Sequence, residues 1–139
     1  MDELVSIFNR LSATQRSLIS AIAGFLFYGS WAFWVNHQHG FGMGLRAMCV
    51  QGSYSFLLTL VMTGLIETLF SISSRIFLNR TLIIWSTIVC SCFLIFSTSW
   101  SINVIAGTPE VLRTVILGYI VGGIYSTTYV YGLARFQTS

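Results

Sequence analysis

Residues 45–70 read LRAMCVQGSYSFLLTLVMTGLIETLF, and this stretch is apolar over most of its length. A helix of about 20 mostly apolar residues crosses the roughly 30 Å hydrocarbon core of a bilayer. Three further stretches of this kind lie at residues 17–35, 81–104 and 112–133. The sequence therefore predicts an all-α polytopic membrane protein whose residues 17–139 form one domain of four transmembrane helices. Short connections predict that these helices are antiparallel neighbours.

The overall composition supports the membrane class and excludes two others. Of the 139 residues, 55% are hydrophobic and 8% are charged. A soluble domain has roughly 25% charged residues, so this chain does not have enough charge to cover a soluble surface. Disordered chains are polar and poor in aromatic residues, unlike this one. The net charge of +3 is spread along the chain, so we expect no nucleic-acid partner.

The first sixteen residues are more polar and form a separate N-terminal segment. Their apolar residues recur at helical spacing on one face, which predicts a short amphipathic helix lying on the membrane surface. Ser12 and Gln15 have the spacing of a capping box, so a new helix is expected to begin there and continue into the first span. The residues of the apolar face are Leu4, Ile7, Phe8 and Leu11.

The arginines predict the orientation of the four spans. Five of them lie at the N-terminus, the middle connection and the C-terminus, whereas only Arg46 and Arg113 lie on the other side. Cytoplasmic connections carry the excess of positive charge, so both termini are expected to be cytoplasmic, in a bacterial inner membrane. The five are Arg10, Arg16, Arg75, Arg80 and Arg135.

Polar residues recur at every fourth position of the second span. Such a row stays near one helix face and drifts by about 40° per step. In hydrocarbon it is expected to face protein or water. Two interpretations stay open, a helix–helix seam with hydroxyl hydrogen bonds or a polar substrate path. The row, here called the polar stripe, consists of Gln51, Ser55, Thr59, Thr63 and Glu67.

Glu67 is the one acidic residue placed inside a predicted span. A carboxylate at this depth is costly, so it usually pairs with another group or has a function. One interpretation pairs Glu67 with Arg16, Arg75 or Arg80 near the inner boundary. The other makes it a coupling group of a transport site.

A second group of polar residues lies in the two predicted outer connections. His37 and His39 follow the first span, but a zinc site needs three or four ligands. We therefore expect no metal site and no cofactor. No catalytic set of His, Cys or Asp is apparent, so an enzyme is not expected. The group is predicted to line an outer vestibule formed by Asn36, His37, His39, Arg46, Glu110 and Arg113.

The fourth span carries small residues at four-residue spacing. Gly118 and Gly122 form a small-xxx-small face, which Ser126 continues. Such faces let helices approach closely, so they are expected to pack against another helix or a second copy of the chain. Before this span, Thr108-Pro109-Glu110 predicts a helix start, with Thr as N-cap and Pro at the first helical position.

Two functions fit these features. The leading one is a small transporter or flippase for a small or lipid-linked substrate, embedded in the lipid bilayer and working as a homo-oligomer. The alternative is an accessory subunit, or an immunity-type inhibitor, of another membrane protein that is its partner. The general form resembles small multidrug transporters, lipid-linked-sugar flippases and immunity proteins against pore-forming toxins, although architecture does not fix function.

Overall fold

A computed structural model describes residues 1–136, apart from the side chains of Asp2 and Phe8. Every element in this part of the chain is helical. The four longest helices are long and apolar enough to cross a membrane, which indicates a membrane-embedded protein as the hydropathy predicted. The elements are α1 (Asp2–Arg10), α2 (Ala13–Asn36), a short 3₁₀ helix (His37–His39), α3 (Phe41–Ile76), α4 (Arg80–Ile105) and α5 (Val111–Phe136).

The start of α2 agrees with the sequence. The Gln15 backbone N–H donates to Ser12 Oγ at 3.2 Å, and the Ser12 backbone N–H donates to Gln15 Oε1 at 2.9 Å. This reciprocal pair is the predicted capping box. In α1, Leu4 and Ile7 are exposed. The side chain of Phe8, predicted to share their face, lies outside the described residues.

Helix α3 is longer than its predicted span and corrects the predicted connection. Residues 71–76, expected to connect the second and third spans, continue α3 to Ile76, so only residues 77–79 connect it to α4. Its 36 residues make a helix about 54 Å long, well over the thickness of the hydrocarbon core. Asn79 Oδ1 accepts from the Thr81 backbone N–H at 2.8 Å and so caps α4.

The start of α5 differs from the prediction. Helix α5 begins at Val111, two residues after Pro109. The Thr108 hydroxyl donates to Asn103 Oδ1 at 3.0 Å, so this side chain bonds to the end of α4 and is not the N-cap that the sequence predicted. The Glu110 carbonyl accepts the first helical bond, from the Thr114 backbone N–H.

Helices α2 and α3 have the most extensive contact among the described elements, and small residues make it possible. A Cβ placed on Gly29 would lie 3.2 Å from the Met48 carbonyl oxygen, and one on Gly52 would lie 2.9 Å from the Phe25 ring. Ala32 is fully buried. Helix backbones can approach this closely only where side chains are absent or small.

The two ends of the helices differ in chemistry. We call the end with the 3₁₀ helix and the α4–α5 connection the upper end, and the end with the α3–α4 connection the lower end. The apolar core lies toward the lower end. It consists of Met62, Ile66, Phe70, Ile84, Ile88, Ile95, Val130 and Ala134. Large apolar side chains also cover the outside of α2–α5, as expected for helices that contact lipid.

Candidate functional site

A cavity of about 490 Å³ lies between α2, α3, α4 and α5. It runs from Arg16 near the lower end of α2 to Tyr28 and Gln51 in the middle of the fold. Its volume is within the range of small-molecule sites, which are mostly apolar with a few placed polar groups. The other lining residues are Ser17, Ser20, Tyr54, Ser55, Leu58, Thr59, Met62, Thr63, Ile95, Ser99, Gly118, Val121, Gly122 and Tyr125.

Gln51 closes the top of the cavity through hydrogen bonds to α4. Its Oε1 accepts from Asn103 Nδ2 at 2.7 Å and from the Ser99 hydroxyl at 3.3 Å. Asn103 also donates to the Ser99 carbonyl at 2.9 Å and accepts from Thr108. Gln51, Ser99 and Asn103 are buried. This network links α3, α4 and the α4–α5 connection above the cavity.

Asn36 makes a second buried network at the upper end, between α2 and α5. Its Nδ2 donates to Thr114 Oγ1 and to the Ala32 carbonyl, each at 2.8 Å. Its Oδ1 accepts from the Glu110 backbone N–H at 2.9 Å, which satisfies a donor at the start of α5. Nearby, Trp31 Nε1 donates to the Arg113 carbonyl at 2.8 Å. The hydrogen bonds between α2 and α5 therefore hold their upper ends together.

Several polar groups on the cavity wall have no hydrogen bond within the described residues. Gln51 is 1% exposed and Ser55 is 5% exposed, yet neither Gln51 Nε2 nor the Ser55 hydroxyl is bonded there. Gln51 Nε2 lies 3.7 Å from the position of a Cβ on Gly118, so it points toward α5 beside the cavity. The Tyr28 hydroxyl is also unbonded among these residues. The deep end of the cavity thus presents free hydrogen-bonding groups.

The lower half of the polar stripe contacts two tyrosines of α5, and only its last residue, Glu67, lies outside the cavity lining. Thr63 Oγ1 lies 3.2 Å from the Tyr125 hydroxyl, and the Tyr129 hydroxyl donates to Glu67 Oε1 at 2.7 Å. The two tyrosine rings stack with their centroids 5.8 Å apart. Glu67 is exposed and does not line the cavity. It accepts a hydrogen bond from a tyrosine, whereas one interpretation of the sequence paired it with an arginine.

The stripe as a whole changes its environment along α3. Gln51 and Ser55 are buried, Thr59 is half-buried, and Thr63 and Glu67 are exposed. The Thr59 hydroxyl donates to the Ser55 carbonyl at 2.7 Å. This gradient follows from the drift of about 40° per four residues. The first four stripe residues line the cavity, while Gln51 also takes part in helix–helix bonding.

The residues expected in an outer vestibule lie at the upper end in different environments. Asn36 is fully buried. His39 Nε2 is 3.1 Å from Glu110 Oε1, and Arg113 Nε is 4.0 Å from Glu110 Oε2. His37 Nδ1 is 2.6 Å from the Trp34 carbonyl oxygen, whereas the guanidinium of Arg46 lies near Gly107.

The small residues of α5 contact two different neighbours. A Cβ on Gly122 would be 3.4 Å from the Ile95 side chain of α4, whereas one on Gly118 would be 3.7 Å from Gln51 Nε2 of α3. Both glycines also line the cavity. Ser126 is fully buried, and its hydroxyl has no hydrogen-bond partner among the described residues.

Three residues of the site were missed in the sequence. Arg16 was read as a topology signal and as a possible partner of Glu67, not as a cavity residue. Tyr28 was not singled out, and Asn103 was passed over within the third span. A signal for Asn103 existed, because an amide side chain inside a span is expected to face protein.

The comparisons with known proteins assign no function, so a functional proposal rests on the geometry of the site. No protein-family model, no curated protein and no solved structure matches this chain. Within the described residues, no three His, Cys, Asp or Glu side chains come together as metal ligands.

Proposed function

We propose that this protein is a small membrane transporter or flippase for a small or lipid-linked substrate. One observation supports this most strongly, the cavity of about 490 Å³ inside the four-helix domain. It extends from the lower end to mid-fold, and it presents polar groups that are unbonded within the described part of the chain, at a depth where polar groups are costly.

The asymmetry between the two ends supports a transport cycle. Buried amide networks around Gln51 and Asn36 close the upper end. Toward the lower end, no hydrogen bond joins α2 to α5 below Tyr28 within the described residues. We call this unbonded stretch, where residues of both helices line the cavity, the gap between α2 and α5. An alternating-access cycle needs one closed and one open side, with two packings of similar free energy. The described conformation corresponds to the state open at the lower end.

We propose the following arrangement in the membrane. The helices cross it as antiparallel neighbours. The contacts between α2 and α3 support this, because they run in opposite directions along the two helices: Gly24 approaches Thr59, while Gly44 approaches Phe33. Both termini are cytoplasmic in a bacterial inner membrane, and α1 lies on its inner surface, as the arginine distribution favours. The cavity then opens to the cytoplasmic side. A homo-oligomer covers the gap between α2 and α5.

The test measures the exchange of lipid between the two leaflets of reconstituted vesicles. Fluorescent phosphatidylglycerol is the probe, and quenching of the outer leaflet by dithionite is the readout. We expect the protein to accelerate exchange over protein-free vesicles. Gly118→Leu places a side chain at the cavity and is expected to abolish the acceleration. Gly132→Leu, on the same helix with open space around its Cβ position, is the matched control and is expected to retain it.

Two results would overturn the proposal. The first is exchange no faster than in protein-free vesicles; together with stoichiometric co-purification of another membrane protein, it would favour the accessory function. The second is equal exchange by the Gly118 and Gly132 variants, which would show that lipid does not pass through the cavity.

A further inference from the structure

We propose that the cavity binds the headgroup of a phospholipid, with the phosphate at Arg16 and a hydroxylated headgroup reaching Tyr28 and Gln51. This inference rests on the proposed function and names its substrate class. Three observations on the described residues carry it: the cavity has a guanidinium without a partner at one end and unbonded polar groups at the other, and no hydrogen bond joins α2 to α5 beside them.

Arg16 is the charged residue of the cavity lining. It is half-buried near the start of α2, and its guanidinium has no ion pair or hydrogen bond within the described residues. A guanidinium binds phosphate through two parallel hydrogen bonds, and such charge-assisted bonds are stronger than neutral ones. The hydroxyls of Ser17 and Ser20 line the same end and likewise have no partner there. This end therefore offers an anion a charge and additional donors.

The opposite end of the cavity suits a neutral polar group. Gln51 is 1% exposed, and its Nε2 is an unbonded donor beside the cavity. The Tyr28 and Ser55 hydroxyls lie on the same wall. Amide N–H and hydroxyl groups bond the oxygens of polyols and sugars. Because no charged residue lines this end within the described residues, it favours hydroxyls over a second phosphate.

The distance between the two ends selects an extended headgroup. Arg16 and Tyr28 are twelve residues apart on α2, which corresponds to about 18 Å of helix rise. Because helical side chains lean toward the helix N-terminus, the Tyr28 side chain shortens the space left for the ligand. A free phosphate would occupy only the Arg16 end. A phosphate ester of a polyol reaches further along the cavity, and its acyl chains leave through the gap between α2 and α5.

Native mass spectrometry in detergent tests this inference with defined probes. The probes are phosphatidylinositol, phosphatidic acid, phosphatidylcholine and water-soluble inositol 1-phosphate. We expect one phosphatidylinositol to bind more tightly than phosphatidic acid, which lacks the polyol, and both to bind more tightly than phosphatidylcholine.

Two variants with matched controls locate the binding. Arg16→Gln is expected to weaken phosphatidylinositol binding about tenfold or more, and Tyr28→Phe about threefold, as for a charge-assisted and a neutral hydrogen bond. Arg10→Gln on α1 and Tyr131→Phe on α5 make the same changes outside the cavity lining and are expected to leave binding unchanged.

Each contrary outcome refutes a separate part. An Arg16→Gln variant equal to Arg10→Gln would overturn the phosphate site. Equal binding of phosphatidylcholine, which carries the same phosphodiester but no polyol, would overturn the selectivity for a hydroxylated headgroup. Tyr28→Phe equal to Tyr131→Phe would overturn the headgroup orientation. Inositol 1-phosphate binding as tightly as the lipid would identify a soluble phosphate ester as the ligand and overturn the lipid assignment. Binding is measured without transport, so a failure here is distinct from absent exchange in vesicles.

Discussion

Replacing Asn36 by alanine is expected to destabilise the protein by about 2 kcal/mol. The side chain is fully buried and joins α2 to α5 by two hydrogen bonds, to Thr114 Oγ1 and from the Glu110 N–H. Side-chain hydrogen bonds between membrane helices average about 0.6 kcal/mol and reach about 1.7 kcal/mol. Leaving the Glu110 N–H without an acceptor adds about 1 kcal/mol.

The assay is reversible unfolding by dodecyl sulfate in mixed micelles, followed by circular dichroism. Gln38→Ala is the control, because it removes an exposed amide two residues away and is expected to change the free energy of unfolding by less than about 0.5 kcal/mol. An Asn36→Ala variant as stable as Gln38→Ala would refute the reasoning, since the buried network would then contribute nothing.

A double-mutant cycle with Thr114→Val isolates the bond between Asn36 Nδ2 and Thr114 Oγ1. Valine keeps the shape of threonine and removes its hydroxyl. We expect a coupling energy of about 0.6 kcal/mol between the two substitutions. Strictly additive effects would show that this bond does not hold α2 against α5.

Three further substitutions test other parts of the structure. Gly29→Ala is expected to lower the free energy of unfolding by about 1–3 kcal/mol, since its Cβ would press on backbone across the α2–α3 contact. Gly64→Ala, with open space around it, is expected to cause no loss, and equal stability of the two would count against close packing at Gly29. Glu67→Gln keeps an acceptor for the α5 tyrosine and removes the charge, so we expect a folded protein without lipid exchange in the vesicle assay; wild-type exchange would exclude a coupling role for the carboxylate. His39→Ala removes an exposed contact to Glu110 and is expected to change the free energy of unfolding by less than about 1 kcal/mol, whereas a larger loss would indicate a structural role at the upper end.

Local features of the fold were predictable because they depend on nearby residues. Apolar length alone located α2 to α5, and Ser12 with Gln15 located the start of α2. Thr108 misled the prediction of the α5 start, because its hydroxyl is used by Asn103. A helix cap and a tertiary hydrogen bond compete for the same side chain. The sequence alone does not show that Asn103 accepts the hydrogen bond of Thr108.

The candidate site was less predictable because it depends on how the four helices are arranged side by side. The four-residue spacing located Gln51 on a polar face, but its partner Asn103 lies 52 residues away on α4. The drift of the stripe was calculable, and it explains why Glu67 is exposed. The position of Arg16 in the cavity lining was hidden, since an arginine at a span end usually serves as a topology signal.

The division of hydrogen-bond partners between the two halves of the chain has a consequence for biosynthesis. Asn36 and Gln51 belong to the first hairpin, whereas the partners that hold them across helices, Thr114 and Asn103, are translated later. The α2–α3 hairpin can pack through its glycines as soon as it enters the bilayer, while its two buried amides stay exposed to lipid. Until α4 and α5 are inserted, the nascent hairpin therefore presents to lipid two amide side chains whose partners on α4 and α5 are not yet in place.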